Sequence, residues 1–165
     1  MSHLLLRTGG VGFTGDISKW DVSRVTDMDY MFALASAFNS DISTWDVSSV
    51  SDMSYMFSDA SVFNGNLSEW DVSRVTKMIC MFNSASSFTG GVSKWDVSSV
   101  TDMGHLFAHA LSFKEVDLSK WDVSKVTGMR SMFSAAILFN ADISKWDVSS
   151  VTDIHAMFGK STAFS

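Results

Sequence analysis

The stretch Ile17-Ser18-Lys19-Trp20-Asp21-Val22-Ser23-Arg24-Val25-Thr26-Asp27-Met28 returns in some version six times along the chain. Its tryptophans stand at Trp20, Trp45, Trp70, Trp95, Trp121 and Trp146, so the period is 25 residues with one step of 26. Self-similarity at such a period marks a repeat architecture, in which a unit buries its apolar face only by stacking on the next.

Two phenylalanine columns carry the same period. One runs Phe13, Phe38, Phe63, Phe88, Phe113, Phe139, Phe164 and the other Phe32, Phe57, Phe82, Phe107, Phe133, Phe158, and together they account for all thirteen phenylalanines. The aromatics are therefore positional. Residues 1–12 read as a degenerate half-repeat, with Arg7 and Gly9-Gly10-Val11-Gly12 as a partial cap, and residues 13–165 as a six-repeat solenoid. One extra residue between Phe113 and Leu118 predicts a small local bulge, because lengthening a loop by one residue costs little.

Within a unit two hydrophobic periods alternate. Trp20 and Val22 are two apart and would share one face of a strand, with Lys19, Asp21 and Ser23 on the other. Met28, Met31, Phe32 and Ala35 follow the i, i+3, i+4, i+7 pattern of a short helix. Thr26 precedes them as an N-cap, and Asp27, Asp52, Asp102 and Asp153 would sit at the positive end of the helix dipole. Lys77 and Gly128 break that column. The expected fold is an α/β repeat, a leucine-rich-repeat-like solenoid with a parallel β ladder on the concave side and short helices or helical turns on the convex side.

Composition narrows the function classes. Of 165 residues, 46% are hydrophobic, enough for one domain with a substantial core. A formal net charge of −6 argues against nucleic acid or an acidic membrane as partner, since phosphates are held by clustered Lys and Arg. Cys80 is the sole cysteine, so no intrachain disulfide forms. The three leucines Leu4-Leu5-Leu6 are too few for a secretory signal, and no segment has the length of a transmembrane helix. The expectation is an intracellular protein, or a mature or excised fragment.

The runs Phe38-Asn39-Ser40-Asp41-Ile42-Ser43-Thr44-Trp45-Asp46-Val47-Ser48-Ser49-Val50-Ser51-Asp52-Met53-Ser54-Tyr55-Met56-Phe57 and Phe139-Asn140-Ala141-Asp142-Ile143-Ser144-Lys145-Trp146-Asp147-Val148 resemble the BspA-like surface-protein repeat. That family is known from mycoplasma lipoproteins, other bacterial surface proteins, protists and algae. The resemblance covers residues 13–164. It implies a leucine-rich-repeat-like solenoid, often at the cell surface and associated with adhesion or protein binding, without recognised catalytic residues or a cofactor.

Candidate chemistries each have a plainer counterpart. The tryptophan column reads either as a buried ladder, favoured by the face shared with Val22 and its equivalents, or as exposed platforms for sugar rings. Stacked carboxylates in the column Asp21, Asp46, Asp71, Asp96, Asp122 and Asp147 would repel. Serine hydrogen bonds and lysines offset that repulsion, or else the column holds a cation or a basic partner. Asp46, Asp71 and Glu69 form its least neutralised part, because repeats two and three carry Thr44 and Glu69 where others carry lysine. His105 and His109 lack the further ligands of a zinc site and read as surface residues. Asn66-Leu67-Ser68 is a glycosylation sequon that matters only on a eukaryotic secretory route. Cys80 falls in a variable column that reads as half-exposed.

At the C-terminal end Ile154, Met157, Phe158 and Phe164 complete an apolar face with no following repeat, which suits a partner, self-association or further repeats. No arrangement of an enzyme stands out. The leading expectation is a non-catalytic protein-interaction or adhesion module presenting a rigid concave strand face. The alternatives are a structural subunit docking through its C-terminal end and a carbohydrate-binding surface protein.

Overall fold

A computed structural model of the chain describes residues 12–114 and 116–164. The N-terminal half-repeat and its cap, Arg7 and Gly9-Gly10-Val11, lie outside the described residues, as does Glu115 in the expected bulge.

Each 25-residue unit is one coil, and the coils stack. Within a coil the chain bends through successive i→i−3 turns. In the first they are closed by Trp20 N to Ile17 O, Val25 N to Val22 O, Met31 N to Met28 O, Ala33 N to Tyr30 O, Ala35 N to Phe32 O and Phe38 N to Ala35 O, all between 2.8 and 3.3 Å. Every other amide in the Met28–Leu34 stretch points along the stack instead. Met28, Tyr30, Phe32 and Leu34 donate to the carbonyls of Asp52, Ser54, Met56 and Ser58 at 2.7–2.9 Å, and the same four bonds recur at each later junction.

This overturns the expected α/β solenoid. Among the described residues there is no α-helix, no extended strand and no sheet. Parallel pairing is confined to isolated bridges in one column, Asp27–Asp52–Lys77–Asp102–Gly128–Asp153. The Trp20–Val22 segment is not part of any ladder, because the turns ending at Trp20 and Val25 bend the chain on either side of it. The leucine-rich-repeat likeness, its concave strand face and its convex helices fall with the ladder.

The helix fails for a different reason. Tyr30 and Leu34 have φ of 55° and 62°, and their equivalents down to Ala156 and Lys160 share that left-handed conformation. A left-handed residue costs about 1–2 kcal/mol and ends a right-handed helix. Here it aims an amide at the next coil, so the inter-coil bond offsets the strain. Tandem turns still bring Met28, Met31, Phe32 and Ala35 inward, all at most 4% exposed. An i, i+3, i+4, i+7 pattern is therefore met without a helix.

The core is a double aromatic stack. Inside a coil the two phenylalanine columns pair at 3.8–4.1 Å, as Phe32 with Phe38 and Phe133 with Phe139 do, and each column repeats between coils at 5.5–6.3 Å. Offset stacking of this kind adds about 0.5–1.5 kcal/mol per pair beyond area burial. Methionines fill the space beside the rings: Met28, Met53, Met78, Met103 and Met129 are fully buried.

The extra residue is absorbed locally. Gly90 and Gly91 have φ of 133° and 93°, and a Cβ on Gly90 would lie 2.7 Å from Cγ2 of Val116. The insertion thus folds Val116 over a place where only glycine leaves room.

Candidate functional site

The side chains that sequence reading assigned to helix caps instead tie coils together. Ser51 Oγ donates to Thr26 O, Thr76 Oγ1 to Ser51 O, Thr101 Oγ1 to Thr76 O, Thr127 Oγ1 to Thr101 O and Thr152 Oγ1 to Thr127 O, at 3.1–3.2 Å. Asp52, Asp102 and Asp153 each accept the amide two residues on, an Asx turn in place of a dipole contact.

Trp45, Trp70, Trp95 and Trp121 are 3–5% exposed. Each indole N–H reaches back one coil: Trp45 to Ile17 O, Trp70 to Ile42 O, Trp95 to Leu67 O, Trp121 to Val92 O and Trp146 to Leu118 O. Buried rings offer no platform to a sugar. Trp20, in the first coil, is the exception at 40%.

The carboxylates Asp21, Asp46, Asp71, Asp96, Asp122 and Asp147 are all exposed. Asp46 Oδ1 accepts both Ser48 Oγ at 2.6 Å and Ser48 N at 3.1 Å, and Asp21 is held by Ser23 in the same way. The Ser48 hydroxyl, then its amide, hold the Asp46 carboxyl below the usual carboxylate range against a smaller upward push from Asp71 and Asp21. Ser73 lowers Asp71 by the same two bonds.

Sequence reading grouped Glu69 with these two as unneutralised, and the structure separates it. Lys94 of the next coil lies 2.9 Å from Glu69 Oε1, and that hydrogen bond is the main cause of a lowered Glu69 pKa. The charges that act on Asp46 are both carboxylates, those of Asp71 and Asp21.

Three further features were not legible beforehand. Tyr30 and Tyr55 stack at 4.3 Å, and Tyr55 is pushed up to about 12, first by the charge of a Cys80 thiolate and then by burial. Cys80 itself is buried at 8% exposure rather than half-exposed, and burial pushes its thiol up. Beside it a depression of about 340 Å³ is lined by Asp102, Gly104, His105, Gly128, Arg130 and Asp153. A Cβ on Gly128 would meet Asp102 Oδ1 at 2.6 Å, so the Asp102 carboxylate occupies the gap in the column. The break at Gly128 was the signal in the sequence.

His105 is half-buried and His109 exposed, both left-handed. Asn66 is exposed, its Oδ1 accepting Ser68 N. Among the described residues no group of three or more His, Cys, Asp or Glu is placed to hold a metal ion, and no helix is long and apolar enough to cross a membrane.

The last coil leaves its outer side open. Val148 and Ile154 are 43% and 53% exposed, whereas Val72 and Met78, their equivalents in the third coil, are 1% and 0%. Phe158 and Phe164 are half-buried, and Met157 is turned inward at 5%. Of the four candidate residues at this end, Met157 therefore does not contribute to the exposed face.

Comparison with curated proteins and with solved structures returns no match. A family model described as a Mycoplasma protein of unknown function, DUF285, matches residues 8–90 and 65–165. The repeat that builds each coil is thus the repeat of that family, and the chain belongs to DUF285.

Proposed function

We propose that the chain is a non-catalytic interaction module that presents a fixed row of carboxylates to a partner carrying positive charge. The observation that carries this reading is the exposed column from Asp21 to Asp147, in which a serine two residues on donates to each carboxylate. Such an array is oriented before any partner arrives, which reduces the ordering cost of binding. The polar side chains facing between coils, the Thr and Ser hydroxyls and the indole N–H groups, are engaged in holding the stack. The likeness to BspA-like surface repeats supports an adhesive or binding role.

An oligolysine peptide titrated against the chain tests it. Binding should weaken as salt is raised, since exposed charges are screened within about 10 Å at 0.1 M. Asp46→Asn with Asp71→Asn should weaken it severalfold. Salt-independent binding, or binding indifferent to that pair, would overturn the reading.

A second reading, a structural subunit that docks through its last coil, is favoured by the exposure of Val148 and Ile154.

A further inference from the structure

The column Asp27–Asp52–Lys77–Asp102–Gly128–Asp153 follows the bridges that join the coils, so its residues stand one above the next. Twice it sets one residue between two aspartates. Between Asp52 and Asp102 that residue is Lys77, and between Asp102 and Asp153 it is Gly128. The two levels are built alike, since Asp52 Oδ1 accepts Ser54 N and Asp102 Oδ1 accepts Gly104 N, both at 2.9 Å. At the first level the other carboxylate oxygen has a cation: Lys77 Nζ lies 3.5 Å from Asp52 Oδ2. At the second the column supplies none, because glycine has no side chain.

What stands beside Gly128 instead is the depression of about 340 Å³. The Asp102 carboxylate leans over the glycine, with Oδ1 2.6 Å and Oδ2 3.2 Å from the place of a Cβ. No ion pair among the described residues includes it. Asp153 is already served, for Arg130 Nη1 lies 4.0 Å from its Oδ2. The depression thus holds one half-buried carboxylate without a counter-ion, and the half-buried Ile79 and His105 help to line it. A charge pair formed there is screened less than one at a fully exposed edge.

We propose that this depression binds one primary alkylammonium, whose head takes at Asp102 the place that Lys77 fills at Asp52. The acceptor selects the amine. Gly104 N already engages Asp102 Oδ1, which leaves one oxygen, and an ammonium needs one where the fork of a guanidinium is matched by two. The apolar stem lies along Ile79, as the stems of long cationic side chains lie on apolar surface. A free alkylamine and the lysine side chain of a partner protein share this chemistry. The site is separate from the row Asp21 to Asp147 and does not depend on it.

NMR titration of the full, isotope-labelled chain at near-neutral pH reads the outcome at the amides of Gly104 and Gly128. The probes are n-butylamine and a lysine blocked at both ends of its backbone. Both should shift these amides saturably, and the same blocked lysine acetylated at Nζ, which keeps the stem and loses the charge, should not. Whichever probe binds more tightly tells a free amine from a partner's lysine as the source. Asp102→Asn keeps a side-chain oxygen for Gly104 N and should abolish the response. Gly128→Lys supplies the ammonium from the chain itself, the Asp102 side chain swinging aside for the new Cβ, and should abolish it too. Lys77→Gly opens the same space beside Asp52 and should add a second set of saturable shifts, at Ser54 and at position 77.

Thermal melts establish that the variants fold, and if Gly128→Lys does not, Asp102→Asn decides. No shift at Gly104 and Gly128 overturns the proposal, as does a shift that sodium chloride reproduces at equal ionic strength, an equal response to the acetylated probe, or a response that survives Asp102→Asn. A Lys77→Gly chain without the second set overturns it as well, by removing the equivalence of the two levels. Asp46→Asn with Asp71→Asn should leave the response unchanged, which keeps failure here distinct from failure of the carboxylate reading. A response lost with that pair assigns the ammonium to the row and overturns the separate site.

Discussion

The coil around Trp70 and the coil around Trp146 share the string Trp-Asp-Val-Ser-x-Val-Thr and differ in what they bury. Val72 and Val75 are 1% and 0% exposed, whereas Val148 is 43% and Val151 half-buried. Their own turns are the same, Trp70 N to Leu67 O and Val75 N to Val72 O matching Trp146 N to Ile143 O and Val151 N to Val148 O within 0.1 Å. A residue's place within a coil is thus local, and its burial is supplied by the coil stacked on it. In such an array stability is approximately a sum of unit and junction terms, so the same substitution has different costs at different levels.

The largest contrast is expected at tryptophan. Trp70→Ala removes a ring buried on both sides and should cost about 3–5 kcal/mol, while Trp20→Ala, at a site already 40% exposed, should cost clearly less. Urea unfolding of the two variants against the parent checks this, and equal shifts would break the distinction between interior and end. Next comes valine: Val75→Ala should cost about 1.5 kcal/mol, two methyl groups at ~0.8 each, and Val148→Ala should stay within about 0.5.

A smaller effect separates hydroxyls of the same column. Thr76→Val breaks the 3.1 Å bond to Ser51 O and should cost about 1 kcal/mol. Thr26→Val, whose hydroxyl has no bond to a described residue, should shift the melting temperature little.

The smallest concerns the carboxylates, which sit at an exposed edge in interior and end coils alike. Ser48→Ala removes the hydroxyl that most lowers the Asp46 pKa, so the NMR titration midpoint of Asp46 should rise. Because the folded pKa is depressed, the stabilisation is present above the unfolded value near 3.9 and is lost as pH falls through the folded one. Acid unfolding of Ser48→Ala should therefore begin at slightly higher pH than in the parent. An unchanged Asp46 midpoint would show that the serine does not hold the carboxylate in solution.

Much of this was readable from residue spacing, and the failures have physical causes. The period, the coil boundaries and the inward set of Trp, Val, Met and Phe follow from which positions repeat as apolar. The secondary structure does not, because Met28, Met31, Phe32 and Ala35 reach one side of a helix and one side of a run of turns alike. Nothing about Tyr30 or Leu34 as residue types announces a left-handed backbone, since neither is the glycine or asparagine that favours it. Glu69 was misjudged because its neutralising partner is 25 residues away, in a column that was read one repeat at a time.

The sequence by itself determined the repeat, its aromatic and carboxylate columns, and the family to which they belong. Only the tertiary structure decided that the described coils are joined by alternate amides with neither helix nor sheet, that Lys94 meets Glu69, and that the last coil leaves Val148 and Ile154 exposed. The physical reason is that periodicity records which side of the chain each residue faces, whereas a hydrogen bond between coils requires a partner a full turn away to be set at the right height.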